Sequence, residues 1–166
     1  MNKSKVKNKL LEVQVLNTNK LSPSIKNLIK KANYQTTLAY APYSNFYVGA
    51  ALLLSNGKII GGSNQENASY PLCMCAERVA LYTYSSQKRS VSIKAIAITA
   101  DNPKLDKLEP CMPCGACRQV LLEYEIRQNK PIKLYATSKN SSLTIYSPQS
   151  KLLLPHAFDH RSLFKK

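Results

Sequence analysis

The tightest constraint on this chain is a pair of cysteine motifs that one metal ion would draw together: Cys75-Ala76-Glu77 and Pro113-Cys114-Gly115-Ala116-Cys117. They offer three soft thiolate ligands, Cys75, Cys114 and Cys117, and one acid, Glu77, that is not needed as a ligand. Structural zinc sites are closed by four protein ligands, whereas catalytic ones use three and leave the fourth position to solvent. Three thiols and a spare carboxylate therefore have the pattern of a metal that does chemistry. Both motifs read as helix starts, where unpaired amides and a partial positive charge favour the thiolate form a metal requires. Cys117 follows Cys114 at the tight spacing that lets two sulfurs grip one ion.

Other readings stay open at this level. Cys111 precedes Cys114 with the same spacing and Cys73 sits just before Cys75, so a closed four-cysteine structural site can also be drawn. It would leave Glu77 without a purpose, and the plainer role for Cys73 and Cys111 is that of small buried hydrophobes. Glu77 could merely cap a helix start. Beside a metal-activated water it would relay protons, an effect of about 10²–10⁴-fold in rate. Three thiolates on one dication leave a net negative site, which Arg78 and Arg118 would moderate by donating to sulfur. A surface position is the blander reading of either arginine.

Around these motifs the pattern is one of alternating elements. Ser22-Pro23 predicts a helix start, with apolar residues at helical spacing to about Tyr40 and Pro42 as the stop. Phe46 to Leu54 reads as a strand, Asn56-Gly57 as a hairpin turn and Lys58 to Gly62 as its partner strand. A polar loop, Ser63 to Leu72, leads to the helix opening near Cys75. Strands follow at Ile93–Thr99, Ile132–Ala136 and Leu143–Tyr146, with a helix from Cys114 to Arg127 between the first two. A hairpin followed by strand–helix alternation predicts an α/β fold, a mixed five-stranded sheet sandwiched by helices. Leu11–Leu16 alternates as a short edge strand. Residues 1–21 are expected to form an N-terminal extension and 22–166 a single catalytic domain.

Composition removes several function classes. The longest apolar run, near Val48 to Leu54, is far too short to cross a bilayer. The formal net charge of +15 invites a nucleic-acid partner, yet 19 of the 24 basic residues are scattered lysines and tryptophan is absent. Base readout leans on arginine and single-strand binding on aromatic platforms, so nucleic acid is not the expected partner. Lys3, Lys5, Lys7 and Lys9 read as a solvated arm. Five cysteines, an odd number, with metal-like spacings and no apolar segment after the first lysines, predict a reducing, cytoplasmic setting.

The stretches Ala41-Pro42-Tyr43-Ser44-Asn45-Phe46, Val48-Gly49-Ala50-Ala51-Leu52, Asn64-Gln65-Glu66-Asn67-Ala68-Ser69-Tyr70, Cys75-Ala76-Glu77-Arg78 and Pro113-Cys114-Gly115-Ala116-Cys117-Arg118-Gln119-Val120 closely resemble cytidine deaminases, small homotetrameric zinc enzymes of pyrimidine salvage. The resemblance spans about Pro23 to Phe158. It implies one Zn2+ per subunit on Cys75, Cys114 and Cys117, with Glu77 as the proton shuttle. It further implies that Asn64 and Glu66 hold ribose hydroxyls, that Phe46 packs on the pyrimidine and that Ala76 belongs to the substrate site. Tyr70 and Phe158 would help complete a neighbouring subunit's pocket. Taken from residue types alone, Asn64 and Glu66 are equally turn formers in a polar loop, and Phe46 a core aromatic. The implied reaction is attack of an activated water on C4 of cytidine or deoxycytidine, protonation of N3 by Glu77, and loss of ammonia to give uridine or deoxyuridine. Met112 and the Cys73-Met74 pair depart from the family pattern. The rivals are a deaminase of bases within RNA or DNA, an aminonucleoside-antibiotic deaminase, and a zinc module without catalysis.

Overall fold

The structure, a computed structural model, describes residues 13–87 and 90–163. Among the described residues there are six strands: β1 Gln14–Asn17, β2 Tyr47–Leu54, β3 Ile59–Ser63, β4 Ile93–Asp101, β5 Lys133–Ser138 and β6 Leu143–Ser147. Three helices accompany them: α1 Pro23–Thr36, α2 Ala76–Ser85 and α3 Gly115–Gln128. The strands form one sheet in the order β1-β6-β5-β4-β2-β3. Only β4 and β5 run parallel, joined by a crossover through α3, as parallel neighbours require.

Strand alternation sorts the core into two faces. Ala50, Leu52 and Leu54 of β2, with Ile96 and Ile98 of β4, pack against Ala80 and Leu81 of α2 and Leu121 of α3. The intervening positions, Ala51, Ala95 and Ala97, meet Leu28 and Ala32 of α1 on the opposite face. The expected sandwich of helices around a mixed sheet is therefore present. Its two sides differ in depth: branched side chains fill the space below α2 and α3, whereas alanines let α1 lie close. No helix among the described residues is long and apolar enough to cross a membrane.

The sheet has six strands where five were expected. The extra member is β1, which pairs antiparallel with β6 and so joins the sheet that the sequence reading had separated from it. A four-residue edge strand has one neighbour and little to bury: Val15 is 66% exposed. Its membership is decided by backbone pairing, which hydrophobic patterning does not report. Leu11 and Glu12, expected to begin this strand, and the lysines at 3, 5, 7 and 9 lie outside the described residues.

Helix α1 also stops at Thr36 rather than near Tyr40. Its last amides bond three residues back, Leu38 N–H to the Gln35 carbonyl and Ala39 N–H to that of Thr36, which tightens and ends the helix. Tyr40 is thereby free to pair with the next loop. Its N–H donates to the Asn64 carbonyl (3.0 Å) and its carbonyl accepts from Glu66 N–H (2.8 Å). The early stop thus anchors the segment that carries two candidate site residues.

Helix α2 rests directly on β3. A Cβ added to Gly62 would lie 2.5 Å from the Ala80 nitrogen and 2.6 Å from the Ala76 carbonyl oxygen, both backbone atoms that cannot swing aside. Because α2 carries Glu77 and starts at Cys75, Gly62 sets the height of that helix end above the sheet. Gly62→Ala is expected to lower unfolding stability by about 1–3 kcal/mol, the usual cost of overpacking. Urea denaturation measures it, and an unchanged midpoint would show that α2 has room to lift.

Candidate active site

Cys75 is the N-cap of α2 and Cys114 the N-cap of α3, and neither sulfur makes a capping hydrogen bond. Cys117, one turn into α3, is fully buried. The sulfurs of Cys75, Cys114 and Cys117 lie within 4.8 Å of one another, and those of Cys75 and Cys114 are 3.9 Å apart. Two sulfurs on a tetrahedral zinc at the usual bond length are about 3.8 Å apart. The donor set and its spacing therefore fit zinc.

Electrostatics agree with the geometry. The Cys75 thiol is held down at about 5, chiefly by hydrogen bonding from Cys117, with the Arg78 guanidinium assisting against the opposing effect of burial. Cys117 is pushed far up by the same bond to Cys75 and by burial. Alone, the cluster ionises one sulfur at a neighbour's expense; a dication is what would let all of them ionise together. Arg78 donates from Nη2 to the Cys75 sulfur (3.6 Å) and to the Cys73 carbonyl (3.5 Å), as expected of a charge-moderating neighbour. Its Nε is buried without a protein partner.

Arg118 differs from expectation. Its Nε donates to the Pro113 carbonyl (2.8 Å) and its Nη1 to the Leu153 carbonyl (3.3 Å), so it braces the loop before α3 instead of the sulfurs. Among the described residues Arg118 makes no hydrogen bond to a sulfur of the cluster.

Beside the cluster opens a cavity of about 360 Å³ lined by Cys75, Cys114, Glu77, Phe46, Asn64 and Glu66 among others. Glu77 is 4% exposed, and burial raises its carboxyl above the ordinary carboxylate range. The acid thus faces the cavity, where a helix cap would face solvent. Also on the cavity wall, Asn64 accepts from Val48 N–H through Oδ1 (2.7 Å) and donates from Nδ2 to the Phe46 carbonyl (2.9 Å). Each end of an amide can make a second bond, so Asn64 retains one donor and one acceptor. Glu66 accepts from the Ser44 hydroxyl, from Tyr43 N–H (2.9 Å) and from Ser44 N–H (3.3 Å), bonds that hold it below the usual carboxylate range.

The remaining candidates fall elsewhere. Ala76 is fully buried in the core cluster and off the cavity wall, because the first turn of α2 is pressed onto Gly62. Tyr70 is 68% exposed and stacks edge-on with Tyr43 at 5.9 Å, outside the cavity. Phe158 is 60% exposed and lies over α3, its carbonyl accepting from Gln119. Cys73 and Cys111 are half-buried and line the cavity, which corrects their reading as buried hydrophobes. Cys73 is occupied by Asn67, accepting from its N–H at 3.2 Å. Neither joins the three-sulfur cluster, so no closed four-cysteine site forms among the described residues. Ser44 had been given no role by residue type. The signal was there, since its hydroxyl accepts from the N–H two residues on, at Phe46 (3.0 Å), in the local turn that serine favours.

Residues 22–130 match the family described as the cytidine and deoxycytidylate deaminase zinc-binding region. The cytidine deaminase of Halalkalibacterium halodurans is 53% identical over 97 residues, 58% of this chain and 68% of its own length. The cytidine deaminase of Sporosarcina psychrophila is 38% identical over 139 residues, 84% of this chain and 94% of its own. Among solved structures, cytidine deaminase from Burkholderia pseudomallei superposes with a TM-score of 0.67 at 41% identity, covering 80% of this chain and 98% of that one. With a match over most of its length and three sulfurs spaced for a dication beside a buried acid, the chain belongs to the cytidine and deoxycytidylate deaminase family of zinc-dependent hydrolases.

Proposed function

We propose that this chain deaminates cytidine and deoxycytidine to uridine and deoxyuridine, releasing ammonia, as a step of pyrimidine salvage in the cytoplasm. The observation that carries this reading is one cavity lined by two unlike sets of groups. Cys75 and Cys114 of the sulfur cluster line it together with Glu77, and so do Asn64 and Glu66. A cytosine ring directed at the metal sets its ribose against an amide and a carboxylate that still have hydrogen-bonding capacity. A sugar lacking its hydroxyls would leave those groups unpaired, a discrimination of up to ~10⁴–10⁵ in sites of this kind.

Cys75, Cys114 and Cys117 hold the ion in this proposal, and Arg78 offsets their charge. Bound zinc supplies a water made acidic enough to ionise near neutral pH. Glu77 would take one proton from the attacking water and deliver it to N3 of the ring, then pass the proton of the new C4 hydroxyl to the departing amine, so that ammonia leaves and a C4 carbonyl remains. Burial of Glu77 keeps bulk water from short-circuiting that relay. Phe46 packs against the pyrimidine and fixes its plane. Arg118 acts at a remove by holding the carbonyl of Pro113, next to Cys114.

A homotetramer is part of the same proposal. Tyr70 and Phe158 are large, exposed and outside this chain's own cavity, a placement that suits service to a neighbouring subunit's site.

Glu77→Gln is expected to keep zinc at about one ion per chain while kcat falls about 10²–10⁴-fold. An ultraviolet assay on metal-quantified protein reads both, and retained turnover would move the proton relay to another group. Cys117→Ala is expected to lose zinc and Cys111→Ala to retain it, measured by elemental analysis after gel filtration. The opposite pattern would redraw the ligand set.

A further inference from the structure

The cavity is also lined by a residue with no assigned part, Ser44. The Ser44 hydroxyl donates to Oε1 of Glu66 and accepts from the N–H of Phe46 at 3.0 Å. The Ser44 N–H reaches Oε2 of the same carboxylate at 3.3 Å, alongside Tyr43 N–H at 2.9 Å. Phe46 is in turn gripped at its carbonyl by the Asn64 amide at 2.9 Å. Both backbone polar groups of Phe46 are thus bonded by side chains, one from Ser44 and one from Asn64. The intervening Asn45 takes φ of +55°, and its N–H is tied back to the Ala41 carbonyl at 3.0 Å. Ser44, Phe46, Asn64 and Glu66 all face the cavity.

We infer that Ser44 is a positioning residue for this reaction, whose single hydroxyl aims the Glu66 carboxylate at the sugar and locks the backbone of Phe46 in the same movement. This rests on the nucleoside-deaminating function proposed above. A carboxylate has roughly four acceptor directions. The turn at Tyr43 and Ser44 takes up three of them, and rotation of the carboxyl would break several bonds at once. The remaining direction is left for a hydroxyl of the ligand. Glu66 is therefore held in its productive orientation before ligand arrives, which spares the ordering cost of binding. The same serine makes the sugar contact and the ring contact dependent on each other. Ser44 bonds neither to Glu77 nor to the three sulfurs, so the chemical step is not where the effect falls.

The test uses full-length, zinc-loaded protein and the variants Ser44→Ala, Ser44→Thr, Glu66→Gln and the Ser44→Ala/Glu66→Gln pair. With cytidine, Ser44→Ala is expected to raise KM about tenfold or more, the scale of one lost hydrogen bond to a charged group, while kcat stays within about twofold. Ser44→Thr, which keeps the hydroxyl at an exposed position, restores KM. Adding Ser44→Ala to Glu66→Gln costs much less than it does alone, because the carboxylate it aims is gone. Inhibition by uridine weakens severalfold more in Ser44→Ala than inhibition by 2′,3′-dideoxyuridine, which lacks the 2′ and 3′ hydroxyls that the carboxylate would meet. Unchanged KM in Ser44→Ala, equal loss for both inhibitors, or full additivity in the double variant would each overturn the role. If the wild-type protein turns over no nucleoside, the proposed function falls and this role falls with it. Turnover by wild type combined with any of those three results removes Ser44 alone.

Discussion

Three sulfur atoms crowded into one corner are an electrostatic burden that this fold meets with two helix ends. The N-termini of α2 and α3 point their first, unpaired amides toward the same small volume. Neither cap residue spends its side chain on capping, so both sulfurs remain available. The cost of bringing the thiols together is met partly by those helix fields, partly by Arg78, and completely only by a dication. Much of the architecture follows from that need. The hairpin of β2 and β3 offers a glycine on which α2 can settle, and the parallel pair of β4 and β5 requires the crossover that delivers α3.

The same corner shows what residue patterns can and cannot disclose. Cys75, Cys114 and Cys117 were legible because a metal demands particular atoms at particular intervals, whatever surrounds them. The three-layer fold was legible because β2 and β4 bury both faces and alternate large with small side chains. The short edge strand was legible from its alternation, but its place as a sixth member of this sheet was not. An edge strand of four residues is held by backbone bonds to β6, and backbone bonds leave no trace in side-chain type. Arg118 was misjudged for a related reason: its partners are the carbonyls of Pro113 and Leu153, and the second is remote in sequence. Asn64 shows a third kind of limit. Its amide spans Phe46 and Val48 across the hairpin's entrance, so the residue serves the scaffold and the cavity at once.

Polar groups buried away from the site are handled with equal economy. The Glu125 carboxylate accepts from Ile132 N–H at 3.0 Å and Ser150 N–H at 2.7 Å, which ties the end of α3 to the approach of β5 and to the turn at Ser150–Leu153. Gln128 exchanges two hydrogen bonds with the backbone of Ile93, fixing α3 to the start of β4. Side-chain amides and carboxylates here replace ladder bonds where strands begin. A helix secured in this way at its C-terminal end has little freedom to pivot at its N-terminal end, where Cys114 and Cys117 sit.

Arg118 extends that bracing in an unexpected direction. By spanning the carbonyls of Pro113 and Leu153, it makes the turn at Ser150–Leu153 a strut for the loop that carries Cys114. A change that unseated that turn would therefore be felt far from where it was made, as a slackening around Cys114.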